Sequence, residues 1–169
     1  MAVELLVLRV VHVVGGILWV GAMAFNAFFL GPAMASAGPA AGQVAAGLMR
    51  RKIFVFMPVV AILTILAGIR LLMITSGGFA GDYFGRRAGM TFAIAGAIAL
   101  IAFIYGMAVT RPAMAKVVAL TQQAQSDPAN RERIMAEIQA TQQRAARATT
   151  VVAWLLLVTA VGMAIGRYM

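Results

Sequence analysis

The chain has 169 residues, 63% hydrophobic and 11% charged, with a mean hydropathy of +0.93, well above the near-even apolar share of a soluble domain. Lipid is therefore the expected solvent, and four spans of about 20 residues would use roughly half the length, leaving no room for a large soluble domain. Cysteine is absent, which excludes disulfides, thiolate metal ligands, iron–sulfur clusters and thiol catalysis together.

The first apolar run extends from about Leu5 to Leu30, 5–30. Its start, Met1-Ala-Val-Glu-Leu-Leu, lacks the basic, cleavable pattern of a signal peptide, so this span is expected to stay in the mature protein. It carries His12, the only histidine. Gly16, Trp19, Met23 and Asn26 share a helical face with it, and such a polar, small and aromatic stripe should face protein, because an unpaired imidazole or amide in hydrocarbon is costly.

Gly31-Pro32-Ala33-Met34, continuing to Gly38-Pro39, reads as a helix stop and short linker leading to Arg50-Arg51-Lys52. The second span is expected over 53–75, with Arg70 near its end. A tight turn follows at Ser76-Gly77-Gly78-Phe79-Ala80-Gly81-Asp82, then the interfacial aromatics Tyr83 and Phe84 before Arg86 and Arg87. The third span is expected over 88–110. A polar helical hairpin over about 112–148 comes next, broken at Ser126-Asp127-Pro128, where Ser126 or Asp127 can cap and Pro128 suits a first turn. Its second arm should run without interruption into the fourth span, 150–168.

These long runs, apolar on all sides, exclude the short alternating segments of a membrane β-barrel. The predicted fold is an all-α, integral membrane four-helix bundle forming a single transmembrane domain over 1–169. An internal echo suggests two tandem helical hairpins: Gly31-Pro32-Ala33-Met34 follows the first span and Arg111-Pro112-Ala113-Met114 the third.

The 14 Lys and Arg outweigh the 5 Asp and Glu, for a net charge of +9. In water such an excess points to nucleic acid, but these cations cluster beside apolar runs, where they set orientation and meet anionic headgroups, so no nucleic-acid partner is expected. Nine of the 14 lie in the first and third connections, which places those connections in the cytoplasm and both termini outside the cytoplasmic (inner) membrane of a bacterium.

His12 and Arg70 fall at similar depth, within roughly 10 Å of one membrane surface at 1.5 Å per residue. Arg9 and Arg167 approach the same layer. One imidazole among several guanidinium groups is what a haem would use, the histidine on iron and the arginines on the propionates. Met73, Met90 and Met163 lie at suitable depth for a sixth ligand. The plainer alternatives are a packing seam for the His12 stripe and a snorkelling side chain for Arg70. The 12 methionines could suit copper, yet they are scattered rather than paired as Met-x-x-Met, which fits packing better. Glu4, Asp82, Asp127, Glu132 and Glu137 all lie in flanks or loops, so no intramembrane acid–base pair and no catalytic constellation is visible.

The run His12-Val-Val-Gly-Gly-Ile-Leu-Trp19-Val-Gly21 resembles the first-helix pattern His-x6-Trp-x-Gly of CopD-like copper-resistance membrane proteins. HemJ-like protoporphyrinogen oxidases begin similarly, and Phe25-Asn26 through Pro32 is like the stretch both groups carry after the tryptophan. The resemblance implies a small four-helix membrane protein in which His12 is a haem or metal ligand and Trp19 its packing partner. The additional histidines usual in CopD-like proteins, and the further polar residues expected on later helices of the HemJ-like enzymes, are missing. The expectation is a haem b protein, with copper as a weaker cofactor. It would serve electron transfer or a larger complex of membrane subunits or like copies. The alternatives are a cofactor-free accessory subunit and a copper or small-solute transport protein.

Overall fold

The computed structural model describes residues 2–37 and 40–169, so Gly38 and Pro39 of the expected linker lie outside the described residues. Helix α1 (Ala2–Phe25) does not stop at Gly31-Pro32. It passes through a π-helical turn, Asn26–Leu30, into α2 (Gly31–Ser36), so one continuous helix covers 35 residues. The Gly31 N–H reaches back five residues to the Asn26 carbonyl. This wide turn relieves the clash a proline ring makes with the carbonyl four residues earlier, and Pro32 then sits in a first turn, where its fixed φ is favourable. The sequence rule that proline ends a helix is overridden by one extra residue per turn.

Helix α3 (Ala40–Arg50) leads to Lys52, whose φ of 54° breaks the helix before α4 (Ile53–Thr75). The end of α4 is closed by the Gly78 N–H on the Met73 carbonyl at 2.9 Å and the Gly77 N–H on the Ile74 carbonyl at 3.3 Å. This closure requires positive φ, met by Gly77 at 66° and Gly78 at 85°. Phe79 also has a positive φ, and its N–H donates to the Ser76 hydroxyl at 2.8 Å.

A single turn, α5 (Gly81–Phe84), precedes α6 (Arg87–Tyr105). A second π-helical turn, Gly106–Thr110, joins α6 to α7 (Arg111–Ser126), with the Arg111 N–H on the Gly106 carbonyl and Pro112 in the first turn beyond. It lies 80 positions after the first, so the Pro-Ala-Met echo marks a repeated piece of backbone. A short 3-10 turn, Pro128–Asn130, is capped by Asp127, which accepts the Asn130 N–H at 3.2 Å. From there α8 (Arg131–Ile165) runs 35 residues unbroken. Among the described residues there is no strand, and four helices are long and apolar enough to cross a membrane.

Helix α1 packs on α4 and α6 on α8, while α1 also meets α8 and α4 meets α6. Trp19, Val60, Ala61, Ala102, Val152 and Leu156 form the buried centre. Outside the apolar spans α7 and α8 make an arm whose seam is Val117, Leu120, Ile134 and Ile138. The buried stripe on α8 continues from these residues through Ala145, Ala148, Val152 and Leu156 to Thr159, so one face serves the arm and the apolar span.

Lys116 Nζ lies 2.7 Å from Glu137 Oε1 across the arm. The hydrogen bond and charge of Lys116, aided by Arg133, hold the Glu137 carboxyl below the ordinary carboxylate range. A carboxyl lowered in the folded state stabilises above its unfolded pKa, and that contribution disappears as pH falls through the folded one. Protease sensitivity of the arm should therefore rise modestly below about pH 4, and Lys116→Gln should flatten this dependence.

Candidate functional site

His12 lies between α1 and α4. Its Nδ1 is 2.8 Å from the Thr64 carbonyl. A carbonyl only accepts, so Nδ1 carries the proton and, in the neutral ring, Nε2 keeps its lone pair. The imidazole rests on Gly68, where an added Cβ would lie 2.6 Å from His12 Cε1. The Thr64 hydroxyl donates to the Val60 carbonyl at 2.8 Å, and Gly15 leaves it the room to do so. Small residues thus let the two backbones approach, as in close-packed membrane helix pairs.

The expected stripe on α1 does face protein over part of its length. Trp19 is buried, edge-on to Phe103 with ring centres 6.1 Å apart, and Met23 packs against the same centre. Asn26 opens the first π-helical turn.

Arg70 is engaged by a partner that sequence reasoning left without a role. Its Nε and Nη2 donate to Glu4 Oε1 at 3.0 and 2.7 Å. The only signal for that pair is antiparallel register: if His12 lies opposite Thr64, then Glu4 two turns earlier lies near Arg70. Both side chains are partly exposed, so the pair contributes little to stability, about 0–1 kcal/mol.

Arg9 is exposed on α1, and Arg167 is exposed near the chain end, 5.1 Å from the Tyr168 ring centre. Met163 is half-buried on α8. The seam itself therefore gathers His12, Gly68, Thr64 and the Glu4–Arg70 pair. Among the described residues no three His, Asp or Glu side chains converge into a metal-binding group. No protein family, curated protein or solved structure matches the chain.

The informative likeness is internal. Phe92, 80 positions after His12, rests on Gly166 as the imidazole rests on Gly68, with an added Cβ 2.8 Å from Phe92 Cε1. Ala95, 80 positions after Gly15, meets Gly162, where an added Cβ would stand 2.9 Å from the Ala95 Cβ. On the partner helices Gly68 and Gly166, like Thr64 and Gly162, are each 98 positions apart. Both helix pairs thus share one joint, a ring on a glycine followed one turn later by a small-residue contact. In one the ring is phenyl, in the other imidazole.

Proposed function

We propose that this chain is a membrane-embedded four-helix bundle of two tandem hairpins that binds a haem-type cofactor through His12 Nε2. Electron transfer, alone or within a larger membrane complex, is the role that follows. The observation that carries the reading is the contrast between the two joints. Packing at this register needs only an aromatic ring, and Phe92 supplies one with no polar atom. At His12 the chain accepts two ring nitrogens in an apolar span, a choice that costs free energy unless both are used. Thr64 uses one.

A haem fits the imidazole well. A proton fixed on Nδ1 by a carbonyl is how iron-binding histidines are commonly oriented, with the Nε2 lone pair left for the metal. When bound, the group would supply one-electron chemistry. Arg70 fits less simply, because a propionate would have to displace Glu4, although the exposed pair is weak enough to exchange. Arg9 and Arg167 are two further cations at that end, which also bears Arg86 and Arg87, and Met163 would be a second candidate iron ligand. The likeness of the His12–Pro32 segment to CopD-like and HemJ-like proteins supports the same assignment, and the Lys and Arg count favours an outer-side position for both termini and the His12 end of the spans.

A second reading rests on the same joints. Because a ring on a glycine packs at Phe92 with no ligand, His12 is also consistent with a cofactor-free accessory subunit whose imidazole only ties α1 to α4. His12→Phe separates the two, since Phe92 shows that phenyl packs at this register. Purified from haem-replete cells in mild detergent, the wild type is expected to show Soret and α bands in a reduced-minus-oxidised spectrum at one haem per chain. His12→Phe should keep its helicity and melting temperature within a few degrees and lose the bands. Full absorbance in His12→Phe would remove His12 as the ligand, and a colourless wild type that co-purifies with other membrane proteins would favour the accessory subunit.

A further inference from the structure

The end of the spans that bears the arm carries Arg50, Arg51, Lys52, Arg111, Arg144 and Arg147, all exposed. Among the described residues the ion pairs involve Arg70 and Lys116, so none of these six has a carboxylate within 4 Å. Asp127 and Glu132 stand at the far turn of the arm. Beside the cations lies α3, whose main packing among the described residues is on its neighbours α2 and α4. One side of α3 carries Ala41, Val44, Ala45 and Leu48, and Val44 and Met49 remain 46% exposed.

We infer that α3 and this cationic collar form a binding surface for anionic phospholipid. Two independent features select that occupant. Six cations lacking carboxylate partners need counter-charges at the boundary of the apolar spans, where lipid phosphates lie. The exposed Val44 and Met49, next to Arg50-Arg51-Lys52, need an apolar neighbour within one side chain's reach of those phosphates. An amphipathic helix lying in the headgroup layer satisfies both at once, whereas an acidic polypeptide in water would satisfy only the charge. The inference does not depend on a cofactor at His12.

The full chain, in a zwitterionic mild detergent at low salt, can be titrated with phosphatidylglycerol or phosphatidylcholine while its melting temperature is followed. Phosphatidylglycerol should raise the melting temperature and phosphatidylcholine should not. Arg50→Gln/Arg51→Gln/Lys52→Gln should move the half-effective concentration upward on the order of 100-fold, at about five-fold per basic residue near the surface. Arg86→Gln/Arg87→Gln, at the opposite end of the spans, should leave it in place. About 0.5 M NaCl should erase the difference between the lipids in the wild type, a readout that survives if the triple variant fails to fold. Equal responses to both lipids, an unchanged triple variant, or tight binding of polyglutamate without a phosphatidylglycerol effect would each overturn the assignment.

Discussion

Ile134→Ser is expected to open the arm while leaving the apolar spans folded. Ile134 is 2% exposed and sits in a seam of four buried side chains, the others being Val117, Leu120 and Ile138. Removing most of its side chain costs about 3 kcal/mol, and the new hydroxyl finds no partner across the seam, only a carbonyl of its own helix. An α-helical hairpin in water depends on this seam, since an isolated helix of the length of α7 is marginal. Limited trypsinolysis should become much faster at Lys116, Arg131 and Arg133, while the fluorescence of Trp19 and Trp154, both in the spans, stays the same. Unchanged protection of the arm would show that something other than the seam holds it closed.

The second large effect is expected at the joint between α6 and α8. Gly162→Leu brings a side chain where even one Cβ would stand 2.9 Å from the Ala95 Cβ and 3.9 Å from its Cα. Neither atom belongs to a flexible side chain, so the two helices must separate. Separation also breaks the bond from the Thr159 hydroxyl to the Ala95 carbonyl at 3.3 Å, leaving that hydroxyl only the Leu155 carbonyl on its own helix. In lipid the loss is one of close packing, because apolar surface gains nothing by leaving one hydrocarbon for another. A destabilisation of about 3 kcal/mol is expected, read as unfolding at a lower sodium dodecyl sulfate fraction in mixed micelles. Gly162→Ala should fall between the two proteins. A Gly162→Leu midpoint equal to wild type would mean that the helices do not meet as described.

Composition and run length make the helical, membrane-embedded character readable from sequence, because lipid leaves the backbone no other economy at these lengths. The break at Ser126-Asp127-Pro128 is equally legible, since a capping acid followed by proline has one local meaning. Pro32 and Pro112 are not, because a proline that ends a helix and one that follows a π-helical turn look alike in sequence. Glu4 and Arg70 are 66 positions apart, and only the register of α1 on α4 pairs them. The equivalence of His12 and Phe92 is harder still, because it lies in ring shape and a shared glycine rather than in residue type. The echo around Pro32 and Pro112 was visible because proline and its neighbours are constrained by backbone geometry, whereas the ring position holds imidazole in one helix pair and phenyl in the other.

The unbroken course of α8 gives the molecule an unequal stiffness. The helices running through α1–α2 and α6–α7 each contain a π-helical turn near the end of the apolar spans, and α8 contains neither such a turn nor a proline. At about 1.5 Å per residue it is a rod of roughly 52 Å. A sideways load on the tip of the arm is therefore transmitted by α8 as by a lever, while the jointed helices beside it yield at their wide turns.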